Sequence, residues 1–177
     1  MGLMNKIVDK IGKVIDVLSE EEKLEEENKN YEKGVEFERY VIELFNKKYF
    51  AIHEWTRDLS DKHKGIRVES DSNPDLTIRY KPTDEKFAVE CKFRSDLYNN
   101  KLCWTTWKKL KQYNLFAQEN TIPTFIVIGF RGEPRNPERM FCIPLEEVKY
   151  PELYPSVFEK FERNPDKHFF WKNGILR

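Results

Sequence analysis

The sequence predicts an α/β domain, one central sheet flanked by helices, and three observations carry that prediction. Residues 35–48 repeat apolar side chains at helical spacing. Residues 76–80 and 87–94 alternate apolar and polar side chains with period two, the mark of half-buried strands. Residues 124–130 (TFIVIGF) form a near-continuous apolar run, as a strand needs when both faces of its sheet are covered. Helix, strands, helix, strands in this order imply helices packed on a single sheet.

The size and composition support a folded domain. The chain has 177 residues, which suits one domain with a short appendage. Hydrophobic residues make up 39% and aromatics 14%, enough for a core despite 35% charged residues. The formal net charge is zero, which argues against disorder and against coating nucleic acid by bulk charge. Any nucleic-acid partner must therefore meet a local basic patch. Cys91, Cys103 and Cys142 give an odd count with no paired spacing, so neither a disulfide framework nor a thiolate zinc site is expected. No uninterrupted apolar run serves as a signal peptide or membrane span, which leads us to expect a soluble, cytoplasmic protein with no membrane partner.

Leu3, Ile7, Ile11, Val14 and Leu18 predict an amphipathic helix over 3–18. Its apolar stripe requires a cover, either the domain body or a second copy in a homodimer. Residues 20–27 are acidic and read as a solvated helix or linker. We therefore divide the chain into 1–30, amphipathic helix and acidic linker, and 31–177, the main domain. After Gly34 a helix runs from Val35 to about Lys48, burying Phe37, Val41, Leu44 and Phe45 and exposing Glu36, Arg39, Glu43 and Lys47. A short strand covers Phe50 to Trp55. A polar loop with Asp58, Asp61, Lys64, Arg67 and Asp71 follows, from Thr56 to Asn73. Beyond the two alternating strands, a helix is expected over Trp104–Gln118 with Trp107, Leu110, Asn114 and Ala117 on one side. Arg131–Glu138 reads as a Gly/Pro loop and Phe141–Ile143 as a strand. Tyr154–Arg163 reads as a helix, and Phe169–Leu176 as a strand or hairpin around Asn173-Gly174.

The two alternating strands constrain each other. Burying their apolar faces together pairs Tyr80 with Phe87, Ile78 with Val89 and Leu76 with Cys91. A slip of one residue would put one greasy face in water, so the parity of the register is well specified. The same parity puts Asp75 beside Glu90 and Lys92 on the opposite face. Two close carboxylates repel unless a cation lies between them, and magnesium favours such oxygen ligands while keeping several waters. A metal there polarises a phosphodiester and acidifies a bound water. Lys92 then suits an orienting and electrostatic role better than that of a base, because neighbouring carboxylates oppose its deprotonation. The competing account is an exposed salt-bridge cluster, worth roughly 0–1 kcal/mol. Glu38 sits close to the buried stripe of its helix, where an unpaired carboxylate is expensive. It is either an edge or capping glutamate or a third carboxylate of the site.

Gly34-Val35-Glu36-Phe37-Glu38, then Asn73-Pro74-Asp75, then Val89-Glu90-Cys91-Lys92 resemble the PD-(D/E)XK, or restriction-endonuclease-like, nuclease superfamily. Pro74-Asp75 is similar to its "PD", Glu90-Cys91-Lys92 to its "ExK", and Glu38 to its helix-borne glutamate. The resemblance runs from about Gly34 to Phe130. It implies an αβββαβ core with a mixed central sheet and the extra N-terminal amphipathic helix outside it. It also implies magnesium-dependent hydrolysis of nucleic-acid phosphodiesters, with Mn²⁺ able to substitute. Metal ligands would be Asp75, Glu90, the backbone carbonyl of Cys91, and Glu38; catalysis would rest on Asp75, Glu90, Lys92 and Glu38. Some branches carry a glutamine four residues before a tyrosine on the second helix. Here Gln112 is followed directly by Tyr113, and Phe116 stands at the fourth position.

Residues 79–111 hold nine basic side chains against four acidic ones, consistent with a polyanionic partner, which the resemblance implies is nucleic acid, DNA above all. Arg94, Lys108, Lys109 and Gln112 are the candidate nucleic-acid contacts. Trp104 and Trp107 are candidates for stacking on bases, with core packing the expectation for at least one of them. The alternative to an enzyme is a catalytically inactive module on the same fold that binds nucleic acid or protein. Retention of Glu38, Asp75, Glu90 and Lys92 favours the enzyme.

Overall fold

A computed structural model describes residues 2–56 and 73–177, with side chains from residue 20 onward. The polar loop expected between Thr56 and Asn73 falls almost wholly outside these residues, as do the side chains of the apolar stripe over 3–18. Helix α1 spans Gly2–Glu43, followed by strands β1 (Phe50–Trp55), β2 (Leu76–Tyr80), β3 (Glu85–Arg94) and the short β4 (Leu102–Cys103). Then come α2 (Trp107–Asn120), β5 (Thr124–Glu133), β6 (Asn136–Pro144), β7 (Glu152–Leu153), α3 (Pro155–Phe158), β8 (Glu162–Arg163), β9 (Trp171–Lys172) and β10 (Ile175–Leu176).

The main sheet has the order β1-β2-β3-β5-β6-β8. β1, β2 and β3 run antiparallel, β3 and β5 parallel, and β5 and β6 antiparallel, so the sheet is mixed. The parallel step needs a crossover, and α2 supplies it between β3 and β5. One face of the sheet is covered by α1 and the C-terminal hairpin. There Phe37, Val41, Leu44 and Phe45 pack on Phe87, Val89, Cys91, Phe125 and Val127. Phe169 stacks on Phe45 at 4.5 Å and Trp171 on Phe87 at 4.4 Å. The other face carries a second core, in which Leu110 and Tyr113 of α2 and Phe158 of α3 meet Ile126, Ile128 and Ile143. β5 sends alternate residues into each core, which explains its unbroken apolar sequence.

Several local expectations are corrected. The expected 3–18 and 35–48 helices join into one helix, α1, which runs through Gly34 and ends at Glu43, five residues before the expected end. The acidic stretch 20–27 is exposed helix, the first of its two expected forms. α2 begins at Trp107, capped by the Thr106 side chain, which accepts from the Lys109 N–H. Its buried residues are Leu110, Tyr113 and Phe116, so the buried side is turned away from Trp107 and Asn114. Residues 131–138 extend the β5–β6 hairpin instead of forming a loop, with Glu133 opposite Asn136. Most of 154–163 is one α-turn, one 3-10 turn and a two-residue strand, because Pro155 starts the helix and the chain soon pairs with β6. The terminal hairpin stands as expected, with Asn173 at φ 51° and Gly174 at φ 78° supplying the left-handed turn.

The β2–β3 register is shifted by two residues from the expected one. Leu76 faces Val89, Ile78 faces Phe87 and Tyr80 faces Glu85. Parity is preserved, so every side chain keeps its predicted face. The turn closes tighter, over Lys81–Asp84, because Asp84 takes a left-handed conformation at φ 61°.

Candidate active site

The observed register puts Asp75 directly across from Glu90, one step beyond the last ladder pair. Pro74, next along the chain, has no N–H with which to continue the ladder. The Cys91 N–H donates instead to Asp75 Oδ2 at 2.7 Å. The Asp75 N–H in turn donates to Glu90 Oε2 at 3.3 Å. The Glu90 carboxylate is thus tied to the Asp75 backbone, and the Asp75 carboxylate to the backbone of Cys91, where the strands part.

Glu90 is only 1% exposed, and it is held from three elements. Its Oε1 pairs with Lys92 Nζ, from β3, and accepts the Tyr113 hydroxyl, from α2. Its Oε2 takes the Asp75 amide, from the start of β2. A buried carboxylate requires such partners. Asp75 is half-buried, and burial followed by the Glu90 charge raises its pKa well above the ordinary carboxylate range; Glu38 adds to this and Lys92 opposes it. Burial works to lower the Lys92 pKa, but the Glu90 and Asp75 carboxylates outweigh it and the net shift is upward. Lys92 is therefore a persistent cation.

Glu38 lies on α1, half-buried, and its Oε2 accepts the Trp55 indole N–H at 3.4 Å. Its charge bears on Asp75 and on the Cys91 thiol, so it borders the same region. Among the described residues, however, no three His, Cys, Asp or Glu side chains converge closely enough to hold an ion. The structure brings together Asp75, Glu90 and Lys92, with Glu38 at the margin. Burial first, then the surrounding carboxylates, push the Cys91 thiol up, so its sulfur is inert.

The other candidates are placed differently. Arg94 donates from Nε to the Cys103 carbonyl at 2.6 Å, from Nη1 to Phe93 at 2.8 Å and from Nη2 to Trp104 at 2.7 Å. Two of those donors pin the Cys103–Trp104 segment before α2. Lys108 is exposed; Lys109 Nζ lies 6.0 Å from the Tyr113 ring centroid; Gln112 is half-buried. Trp104 is fully buried and Trp107 is 62% exposed, the division expected of the pair.

Sequence reasoning missed Tyr113. Its signal was available: a phenol at i+3 from buried Leu110 must find a buried acceptor for its hydroxyl. Burial, then the Glu90 charge and hydrogen bond, raise its pKa, so it is a fixed donor. Trp55 was also missed, as the partner of Glu38.

In the search of solved structures, the chain is similar to a Holliday junction resolvase, Hjc, from Archaeoglobus fulgidus. The TM-score is 0.50 at 20% identity, over 72% of this chain and 93% of that one. The fold is restriction-endonuclease-like. No family model and no curated protein matches the sequence. The αβββαβ order of that fold is present here as α1, β1, β2, β3, α2 and β5.

The donor set fits a hard divalent ion. Asp75 and Glu90 are hard oxygen donors held side by side, and their mutual repulsion is what a cation would relieve. Asp75 Oδ2 accepts from the Cys91 N–H, and among the described residues no hydrogen bond is made by Oδ1.

Proposed function

We propose that this chain is a metal-dependent nuclease that hydrolyses DNA phosphodiester bonds. The observation that carries the reading is the facing pair Asp75–Glu90 at the parting of β2 and β3, with the Lys92 cation on Glu90. The fold of a Holliday junction resolvase adds DNA as the substrate class.

Asp75, Glu90 and the Cys91 carbonyl would hold Mg²⁺, with Mn²⁺ as a substitute, and Glu38 would contribute from the margin. When bound, the ion supplies Lewis acidity and an acidified water. Glu90 is fixed by Tyr113 and by the Asp75 amide, so it needs little reorganisation to serve as a ligand. Lys92 stays protonated. Its ammonium would orient the attacking water and offset charge gathering on the phosphate, and as a persistent cation it would not take that water's proton. Leu3, Ile7, Ile11, Val14 and Leu18, at helical spacing in the sequence, would serve a homodimer that sets two sites on the two strands of a duplex.

The test incubates the full chain with plasmid, linear, branched and single-stranded DNA in Mg²⁺ or EDTA, beside Asp75→Ala and Lys92→Ala. Metal-dependent cleavage that both variants abolish is expected. Cleavage surviving in both would refute the site, and a wild-type chain that binds DNA without cutting it would favour the inactive module.

A further inference from the structure

Exposed aromatic rings gather at one place on this surface. Trp107, Tyr150 and Tyr154 are 62%, 60% and 58% exposed. They line a groove of about 460 Å³ whose apolar floor includes Pro151 and Leu153. The rings are held: Trp107 and Tyr150 meet edge-to-face at 5.8 Å, and Lys101 Nζ lies 5.1 Å from the Tyr154 ring. Large rings left in water together mark a binding surface rather than a packing accident.

Charge selects the partner. The acids of the groove are neutralised, Glu152 by Lys101 at 3.1 Å and Glu147 by Lys160 at 3.0 Å. Among the described residues, Lys149 on the groove wall and Lys108 and Lys111 on α2 form no ion pair. Lys111 is one helical turn from Trp107 and shares its face. The surplus is cationic, so the partner is a polyanion that also offers flat apolar faces.

The groove is tied to the candidate active site. The β4–β7 ribbon pairs Leu102 with Leu153. Trp104 donates its backbone N–H to the Pro151 carbonyl and its indole N–H to the Tyr150 carbonyl, both at 3.0 Å. Its ring stacks with Tyr113 at 6.0 Å between centroids, and Tyr113 holds Glu90. Two side chains therefore link the wall of the groove to the proposed metal ligand.

We propose that this groove stacks unpaired bases of a nucleic-acid strand beside the cleavage site, so that the preferred substrate carries a single-stranded segment. The inference rests on the nuclease reading above. Duplex bases hide their faces against one another, whereas unpaired bases present them, and stacking on rings tolerates any sequence. Lys149, Lys108 and Lys111 meet the phosphates.

The test measures fluorescence anisotropy of a labelled oligothymidine strand and of a blunt duplex of equal length. Both are titrated in EDTA with the wild-type chain, Trp107→Ala, Tyr154→Ala and the double variant. Each ring removed weakens single-strand binding about 5- to 100-fold, Trp107→Phe restores most of it, and duplex binding and melting temperature stay put. Unchanged single-strand affinity in the double variant overturns the proposal. So does binding of a proline-rich peptide, instead of the oligonucleotide, that these variants abolish. A wild-type chain that cuts blunt duplex, while its variants bind single strands as well as it does, refutes the groove alone. A wild-type chain that neither binds nor cuts DNA of any form refutes the nuclease reading as well.

Discussion

Asp75→Asn separates what the site does for function from what it does to stability. The carboxylate is pressed by burial and by Glu90, with Glu38 adding to it, so its ionisation is disfavoured in the folded chain. Every unit by which the folded pKa exceeds the unfolded value costs about 1.4 kcal/mol of stability once the group is ionised. The sign follows: the cost is absent below the unfolded pKa of about 3.9, grows as pH rises towards the folded pKa, and is constant above it. Asparagine keeps an oxygen to accept the Cys91 N–H and leaves the Asp75 backbone contact with Glu90 in place. In EDTA at pH 7.5, Asp75→Asn should therefore melt higher than wild type, by about 2–4 °C for each kcal/mol relieved. The gap should close as pH falls towards 4. Millimolar Mg²⁺ should reverse the order. At a hundred times its dissociation constant the ion stabilises wild type by about 2.7 kcal/mol and leaves the variant nearly unmoved. Differential scanning calorimetry in EDTA and in Mg²⁺, across pH 4–8, reads both effects. A variant less stable than wild type in EDTA at neutral pH, or an equal Mg²⁺ shift in both proteins, would refute the reasoning.

Three further outcomes follow from the same geometry. Lys92→Met should keep Mg²⁺ binding by isothermal titration while lowering the cleavage rate at least about 100-fold, since the cation acts on charge that develops during reaction. Tyr113→Phe removes the hydroxyl on Glu90 and should cost about 1 kcal/mol in chemical denaturation, with a larger loss in kcat than in KM. Gly129→Ala would place a Cβ 2.4 Å from the Phe37 ring and should destabilise the chain by about 1–3 kcal/mol, partly recovered by Phe37→Leu in a double-mutant cycle.

Much of the fold was legible because periodicity is a local property. Phe37, Val41, Leu44 and Phe45 sit where helical spacing put them, and β5 is buried on both faces as its apolar run required. The facing of Asp75, Glu90 and Lys92 was legible too, since period two fixes which side chains share a face. Register was not. A shift of two residues keeps every face, so the sequence could not distinguish Leu76 opposite Cys91 from Leu76 opposite Val89. The choice fell to the turn, where Asp84 accepts a left-handed backbone. The tertiary structure also decided where Arg94 spends its donors, on carbonyls of a segment ten residues along, and which tyrosine holds Glu90. It alone brought Trp107 into one groove with Tyr150 and Tyr154, more than forty residues further along the chain. The sequence by itself determined the α/β class and the shared face of the acidic pair with its lysine, because both follow from neighbours along the chain. Only the folded chain determined their exact partners, because those come from elements that sequence distance separates and packing alone brings together.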